Sequence, residues 1–309
     1  MIADLIRLAR PKQWVKGAFV LLGPLYGMVG GAPVDWPAVA FAFVAFGLAS
    51  SGCYIINDVR DVESDRAHPR KKQRPVASGR VQPGTALAFA AALFGGAAVA
   101  ALAPLAFGTD GSRVAWLAFF VGLYALNVSA YSLGIKHVVV VDVISLAAGF
   151  VLRVLGGCAA AGVEPSTWLL NCTFFVSMFL AFGKRLGERR TMGDGVGTVR
   201  AVQNEYTDEL LRMAVVVTGV ASLGTYAAYV QAQGHLYTAR LDGPQGWGMN
   251  LLWLTMLPAT FGLLRCIVQV EKGAYDDPTE LAAGDRPFQI GVALFGVVTL
   301  LAIWLRSPA

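Results

Sequence analysis

The chain has 309 residues, of which 56% are hydrophobic and only 15% are charged, and its mean hydropathy is +0.57. A soluble domain carries roughly 25% charged residues, so the composition excludes a large water-soluble core and indicates a polytopic membrane protein. The net charge of +5 is spread along the loops between apolar runs. This distribution argues against nucleic acid as a partner.

Nine apolar runs are predicted to cross the membrane as helices. In chain order they cover about 18–31, 36–56, 85–107, 114–130, 138–161, 167–182, 211–229, 251–268 and 288–305. The sequence therefore predicts an all-α fold with one transmembrane domain over residues 1–309. The polar loops 57–81, 183–208 and 270–286 are expected to cover a cavity that opens on one side. The four cysteines lie in or beside apolar runs without paired spacing, and we interpret them as small buried hydrophobes.

The positively charged residues of the loops predict the orientation in the membrane. Lys and Arg are enriched in cytoplasmic loops. With nine spans and a cytoplasmic amino terminus, the outer side keeps only Arg113, Arg240 and Arg306. We therefore expect a plasma-membrane protein whose amino terminus and long charged loops are cytoplasmic and whose carboxyl terminus is outside.

An acidic motif follows the second apolar run. It consists of Asn57, Asp58, Asp61 and Asp65, and its carboxylates are three and four residues apart. If the helix continues past the membrane, these side chains share one face. Carboxylates on one face repel each other unless a cation lies between them, and Mg²⁺ prefers oxygen ligands that it shares with substrate phosphates. The alternative is a solvated, charged loop.

Basic residues surround this motif in sequence, which favours a site for a metal-bound diphosphate. The candidate substrate-binding residues are Lys16, Arg60, Arg66, Lys72, Arg74, Tyr131, Lys136, Arg153, Lys184 and Arg185. Arg153 lies inside an apolar run, where an arginine is a functional-site hypothesis by default. Asp142 on the same run is roughly 16 Å away along a helix, too far for direct pairing. Asp142 is either a ligand or a structural partner.

The acidic motif resembles the first aspartate-rich motif of the UbiA superfamily of intramembrane prenyltransferases, and the resemblance covers nearly the whole chain. It implies a nine-helix protein that uses Mg²⁺ around a central cavity open to the cytoplasm. The second motif departs from the family, because Lys184 and Arg185 stand where the prenyltransferases are acidic. The sequence is more similar to the decaprenyl-phosphate phosphoribosyltransferase branch of the superfamily. The segments that carry this similarity are 10–16, 57–69, 74–79, 134–137, 152–157 and 183–185.

This closer resemblance implies transfer of 5-phosphoribosyl from phosphoribosyl diphosphate to a polyprenyl phosphate, for the synthesis of arabinose donors of the cell envelope. Mg²⁺ on Asp58, Asp61 and Asp65, with Asn57, would hold the diphosphate. Basic residues such as Lys136 would hold the other phosphates.

Two alternatives stay open beside this function. One is a prenyltransferase that uses an allylic diphosphate, and the other is a transporter, whose charges would line a path through many spans. Polyprenyl chain length, the number of metal ions and a homo-oligomeric state are not encoded in a recognisable pattern. The acidic residues of 271–286 form either an extra metal site or a solvated cap.

Overall fold

The computed structural model describes residues 2–67, 71–192, 205–240, 247–273, 281 and 284–305, without the side chains of 191, 192 and 240. The chain forms two compact units, Met1–Leu170 and Asn171–Ala309. Its α-helices are α1 (Ile2–Ala9), α2 (Ala18–Val29), α3 (Trp36–Arg60), α4 (Val62–Ala67), α5 (Pro83–Leu102), α6 (Gly111–Leu133), α7 (Val141–Ala161), α8 (Thr167–Met192), α9 (Asp208–Ala232), α10 (Gly234–Tyr237), α11 (Met256–Glu271) and α12 (Arg286–Trp304). Short 3₁₀-helices cover Pro11–Gly17, Lys71–Gln73, Ala103–Phe107, Ile135–His137 and Leu251–Thr255.

Within the described residues, eight helices are long and apolar enough to cross a membrane, one fewer than the nine predicted. They are α3, α5, α6, α7, α8, α9, α11 and α12. The difference is the first predicted run, where α2 has only 12 residues. Such a helix rises about 18 Å, against a hydrocarbon core of roughly 30 Å. Large apolar side chains such as Leu126, Val217 and Leu300 are exposed on the spans, as expected for surfaces that contact lipid.

Side chains at the helix starts fix several of the boundaries. Asp35, Asp110, Thr207 and Asp285 precede α3, α6, α9 and α12, and each accepts a hydrogen bond from a backbone N–H of the first turn. Such caps satisfy donors that have no partner within the helix. Hydrogen bonds from Arg265 hold the pKa of Asp285 at about 2, so this cap stays ionised near neutral pH.

Helix α3 is central to the first unit and contacts α2, α5, α6 and α7. Its buried face is built largely from alanines, with Phe46 packed edge-on against Tyr124 of α6 at 5.5 Å between ring centroids. Helix α2 lies against α7 at Gly157, where a Cβ would overlap the carbonyl oxygen of Val20. Small residues allow such close backbone approach between membrane helices. This contact places the short α2 in the bundle.

The segment that follows the acidic motif is partly buried, whereas loop 57–81 was predicted to be polar throughout. Val76 and Val81 are 1% and 4% exposed and pack with Leu8, Ile55 and Ala86. These apolar residues hold the segment against α1 and the ends of α3 and α5. The packing fixes the position of Arg74, which lies between the motif and this cluster in sequence.

The second unit contains a small antiparallel ribbon that the sequence analysis did not predict. Strands β1 (Thr238–Arg240) and β2 (Gly248–Asn250) pair, with Ala239 opposite Met249. Three-residue strands are too short to show an alternating pattern, so the sequence carries no signal for them. The Asn250 amide donates to the Val230 carbonyl at 2.7 Å and ties the ribbon to α9.

The predicted loop 183–208 begins later than expected, because α8 continues past the apolar run to Met192. Hydropathy marks where a helix leaves the hydrocarbon but does not mark where the helix ends. The charged extension is stabilised by carboxylates from other helices: Asp208 accepts from Arg189 and Arg190, and Glu271 accepts from Arg190. Residues 193–204 and 274–280 of the predicted loops, and the predicted outer-side Arg306, lie outside the described residues.

Candidate active site at the end of helix α3

The aspartate motif lies where α3 ends. Asn57 and Asp58 are in its last turn, Asp61 directly follows the helix, and Asp65 is in α4. The backbone N–H of Asp61 donates to the Asn57 carbonyl at 2.9 Å, and that of Asp65 donates to the Asp61 carbonyl at 2.8 Å. Helical spacing therefore continues across the boundary between the two helices. The Asn57 side-chain amide donates to Asp61 Oδ2 at 3.0 Å.

Two arginines from outside α3 converge on the buried carboxylates of the motif. Asp58 and Asp65 are each 2% exposed. Arg74 Nη1 donates to Asp58 Oδ1 at 3.0 Å and to Asp65 Oδ2 at 2.7 Å, so one guanidinium bridges both carboxylates. Arg10 Nη2 also donates to Asp58 Oδ1, and its guanidinium stacks over the Tyr54 ring, 5.0 Å from the centroid. The site thus places carboxylates and guanidinium groups in direct contact.

The third carboxylate has a different cationic partner. Lys136, in the 3₁₀-helix that follows α6, donates from Nζ to Asp61 Oδ1. The Lys136 side chain is 13% exposed and that of Asp61 is 26% exposed. Each of the three aspartates therefore pairs with a cation from another part of the first unit.

Burial dominates the acidity of Asp65. Desolvation raises the pKa of this carboxyl, and the charge of Arg74 is the largest influence in the opposite direction, while the neighbouring charge of Asp58 raises it further. Removal of a carboxylate from water disfavours its charged form. The ionisation of Asp65 thus depends on Arg74.

The motif fits a metal that is shared with a substrate but does not form a metal cage by itself. Within the described residues, no group of three His, Cys, Asp or Glu side chains is close enough to hold an ion. Asp58 and Asp65 instead share Arg74, Asp58 also pairs with Arg10, and Asp61 pairs with Lys136. Mg²⁺ is commonly bound by one or two carboxylates together with waters and substrate phosphates. The all-oxygen donor set suits that mode of binding.

Five other candidate residues lie in the first unit: Lys16, Arg60, Arg66, Lys72 and Tyr131. Arg66 donates to the Ala77 carbonyl at 3.1 Å. Arg60 and Lys72 are exposed, and Lys16 and Tyr131 are half-buried. Within the described part of this unit, the structure does not bring these five side chains onto the motif carboxylates.

Arg153 lies inside the first unit and is 5% exposed. Its Nη2 donates to the Tyr124 hydroxyl at 2.6 Å, and its Nη1 donates to the Gly149 carbonyl at 3.4 Å. The guanidinium lies 4.4 Å from the Tyr124 ring centroid and 5.5 Å from that of Phe150. Asp142 is fully buried in the first turn of α7, where its carboxylate accepts from the Val143 backbone N–H at 2.8 Å.

Lys184 and Arg185 lie on α8 in the second unit, on the helical extension and not in a loop. Arg185 is 2% exposed, and its guanidinium is 5.7 Å from the ring centroid of the fully buried Tyr206. Lys184 is half-buried. Further along the helix, Arg189 and Arg190 pair with Asp208 at 2.7 and 2.9 Å.

The list of site residues from the sequence missed Arg10, Tyr54 and Tyr124. Arg10 entered the sequence analysis only as part of the segment 10–16. In the structure it has a left-handed backbone (φ 49°), which no sequence pattern predicted. Tyr54 precedes Asp58 by one helical turn, a spacing that puts both on one face. Tyr124 left no signal, because an aromatic residue in an apolar span is common.

Comparison with known proteins identifies relatives over the whole chain. A model of the UbiA prenyltransferase family matches residues 17–283. The chain is 33% identical over 301 residues to the decaprenyl-phosphate phosphoribosyltransferase of Mycolicibacterium smegmatis, covering 94% of this chain and 89% of the relative. It is 34% identical over 312 residues to the protein of the same name from Corynebacterium glutamicum, covering 98% and 88%.

A solved structure shares the fold. The structure of a UbiA homologue from Archaeoglobus fulgidus bound to GPP and Mg²⁺ matches with a TM-score of 0.66, covering 98% of this chain and 100% of that chain at 16% identity. The predicted class, a helical polytopic membrane protein of this architecture, is confirmed, apart from the number of spans and the short ribbon.

Proposed function

Because the chain belongs to the UbiA prenyltransferase family, we propose that this transferase moves 5-phosphoribosyl from phosphoribosyl diphosphate to a polyprenyl phosphate. The products are a polyprenyl-phosphoryl-5-phosphoribose and diphosphate. The full-length relatives named decaprenyl-phosphate phosphoribosyltransferase support this assignment.

The observation that carries the proposal is the direct pairing of three motif carboxylates with three cations. Asp58 and Asp65 share Arg74, Asp58 also meets Arg10, and Asp61 meets Lys136. A site of this kind offers oxygen ligands for a metal ion and positive charges for phosphate oxygens. The carboxylates would hold the metal, and Arg10, Arg74 and Lys136 would bind phosphate oxygens.

Asp58, Asp61 and Asp65, with the Asn57 amide oxygen, would hold Mg²⁺. When bound there with the diphosphate, the ion would neutralise the charge that develops on the leaving group. Arg10 and Arg74 offer guanidinium groups that match phosphate oxygens in pairs, and Lys136 offers a point charge. These three side chains would orient the diphosphate at the end of α3.

The transfer needs no general base. An oxygen of the polyprenyl phosphate, already ionised near neutral pH, forms a bond to C1 of the ribose. The bond between C1 and the diphosphate oxygen breaks, and the diphosphate leaves with the bonding electron pair. Reaction at an anomeric carbon passes through an oxocarbenium-like transition state, so residues that stabilise the departing anion supply much of the rate enhancement.

The basic second motif favours this donor over an allylic diphosphate. Phosphoribosyl diphosphate and the lipid acceptor together carry two phosphate groups besides the diphosphate. Lys184 and Arg185 on α8 would supply cations for them, where an acidic motif would repel them. The single domain over 1–309 and a cytoplasmic site facing soluble phosphoribosyl diphosphate belong to the same proposal. So do a plasma-membrane location and a role in making arabinose donors for the cell envelope.

One assay tests the proposal directly. Purified protein is incubated with labelled phosphoribosyl diphosphate, Mg²⁺ and polyprenyl phosphates of several lengths, and the label that enters the lipid fraction is measured. A parallel arm offers allylic diphosphates with aromatic acceptors. We expect Mg²⁺-dependent labelling only in the first arm. Prenyl transfer in the second arm without phosphoribosyl transfer in the first would overturn the assignment.

A further inference from the structure

Arg153 is a buried cation that pairs with no carboxylate in the described part of the chain. It lies about midway along α7, and the residue is only 5% exposed. Its partners are a hydroxyl, a carbonyl and two aromatic rings, all of them neutral. Within residues 2–67 and 71–170, no carboxylate pairs with it. Asp142 is on the same helix but roughly 16 Å away along its axis.

This arrangement is costly for the protein alone. A guanidinium remains protonated in proteins, so Arg153 cannot become neutral as a buried lysine can. Cation–π contacts and neutral hydrogen bonds compensate only part of the desolvation of a charge. A charge kept inside a membrane span marks a substrate or ion site by default. The missing element here is an anion.

The surroundings hold the guanidinium ready for such an anion. The Tyr124 hydroxyl accepts one N–H of Arg153, and Ser50 of α3 lies beside the same hydroxyl. The two hydrogen bonds of Arg153 use two of the five N–H donors that a guanidinium carries, and three remain for a ligand. Tyr124 and Phe150 cover its faces and restrict its rotation.

Side chains of α3 connect the surroundings of Arg153 with the motif. Ser50 and Tyr54 precede Asp58 on α3 by about two turns and one turn. Tyr54 lies under Arg10, which pairs with Asp58. A polar path thus leads from the carboxylates into the first unit, where Arg153 lies.

We infer that Arg153 binds a phosphate monoester of one of the two substrates and that Tyr124 positions its guanidinium for this contact. The inference rests on the proposed function, because both of its substrates carry such a group: the 5-phosphate of the donor and the phosphate of the lipid acceptor. The chemistry that Arg153 recognises is the same in both cases, a dianionic phosphate that two parallel N–H groups can bind.

The test compares Arg153→Gln with Arg113→Gln as a matched control. Arg113 is also an arginine that joins helices of the first unit, but it pairs with Asp35 at 3.3 Å and donates to the Ala159 carbonyl at 3.4 Å. Asp35 caps the start of α3, at the opposite end from the motif. KM is measured for phosphoribosyl diphosphate and for geranyl phosphate as a short acceptor, together with the melting temperature in detergent.

We expect Arg153→Gln to raise one KM by roughly tenfold or more and to leave the other within about twofold, whereas Arg113→Gln lowers only the melting temperature. A raised KM for the donor means that Arg153 binds its 5-phosphate. Ribosyl 1-diphosphate, which lacks that phosphate, should then be used equally poorly by the parent protein and by Arg153→Gln. A raised KM for geranyl phosphate assigns the acceptor. A folded Arg153→Gln protein with both KM values unchanged would overturn the inference.

Two further variants keep the inference testable if Arg153→Gln does not fold. Arg153→Lys keeps the positive charge but loses the paired N–H donors of the guanidinium, and Tyr124→Phe keeps the ring but loses the hydroxyl. Each variant should raise the same KM by a smaller factor. Unchanged KM values in both folded variants would refute the inference. If the parent protein transfers no phosphoribosyl, the proposed function fails. Thermal stabilisation by ribose 5-phosphate or geranyl phosphate, present in the parent and absent in the Arg153 variant, then still decides the role of Arg153.

Discussion

Replacement of Arg74 by glutamine should lower the stability of the protein and its activity, and a second change at Asp65 should restore only the stability. Arg74 is the one side chain that contacts both Asp58 and Asp65 in the described structure, at 3.0 and 2.7 Å. Without it, Asp58 keeps Arg10, but Asp65 loses the guanidinium that neutralises it while remaining 2% exposed. The variant therefore leaves a buried carboxylate whose charge is compensated only in part, by Lys71.

The expected loss of stability follows from burial. Removal of one partner of a fully buried ion pair costs roughly 3–5 kcal/mol. The Arg74 side chain is 27% exposed, so solvent screening lowers the expected cost to about 2–4 kcal/mol. The control Arg80→Gln breaks a pair with Asp4 at 3.0 Å in which Arg80 is 42% exposed. Exposed pairs contribute about 0–1 kcal/mol, so this change should be nearly silent.

The loss should also depend on pH in a definite direction. Burial already raises the pKa of Asp65, and removal of Arg74 raises it further. A carboxyl whose pKa is higher in the folded state takes up protons on folding. Its stabilising contribution is present below the unfolded pKa of about 3.9 and is lost as pH rises through the folded pKa. The deficit of Arg74→Gln should therefore grow as pH rises from about 4 toward neutral.

Thermal unfolding in detergent, followed by tryptophan fluorescence across this pH range, measures the effect. Addition of Asp65→Asn to Arg74→Gln removes the buried charge and should recover most of the melting temperature, while phosphoribosyl transfer stays low. The prediction is wrong if Arg74→Gln and Arg80→Gln have the same melting temperature at pH 7.5, or if adding Asp65→Asn does not raise the melting temperature of Arg74→Gln. In either case Arg74 does not stabilise the site through Asp58 and Asp65.

Three further results are expected. Asp58→Asn or Asp61→Asn should cut Mg²⁺-dependent transfer by orders of magnitude with little change in folding, and near-normal turnover in either variant would contradict the metal assignment. Lys184→Ala or Arg185→Ala should raise the KM for one substrate by roughly tenfold for a lost charged contact of about 1.5–3 kcal/mol, and intact transfer in the corresponding Asp variants would remove the argument from the basic motif. The exposed Lys72 should react with an impermeant reagent only from the cytoplasmic side, and labelling in intact cells would reverse the proposed orientation.

The sequence by itself determined the class of protein and the place of the motif. Apolar runs and the polar residues at their ends can be recognised in the sequence without knowledge of tertiary contacts. For this reason α3, α5, α7 and α12 begin or end within a few residues of the predicted bounds. The exceptions have physical causes. Helix α8 outlasts its apolar run because Asp208 and Glu271 neutralise its charged end. Helix α2 is shorter than a span because a 3₁₀-helix precedes it up to Gly17 and because it ends at Val29, before the left-handed Gly31.

Only the tertiary structure decided which cation meets which carboxylate. Asp58 is joined to Arg10 across 48 positions, Asp61 to Lys136 across 75, and Arg153 to Tyr124 across 29. Sequence spacing orders side chains around one helix, but it holds no information on which other helix lies opposite. That choice depends on close packing, such as Gly157 against Val20 and Phe46 against Tyr124. The motif could therefore be located in advance, whereas its pairing with Arg10, Arg74 and Lys136 required the assembled helices.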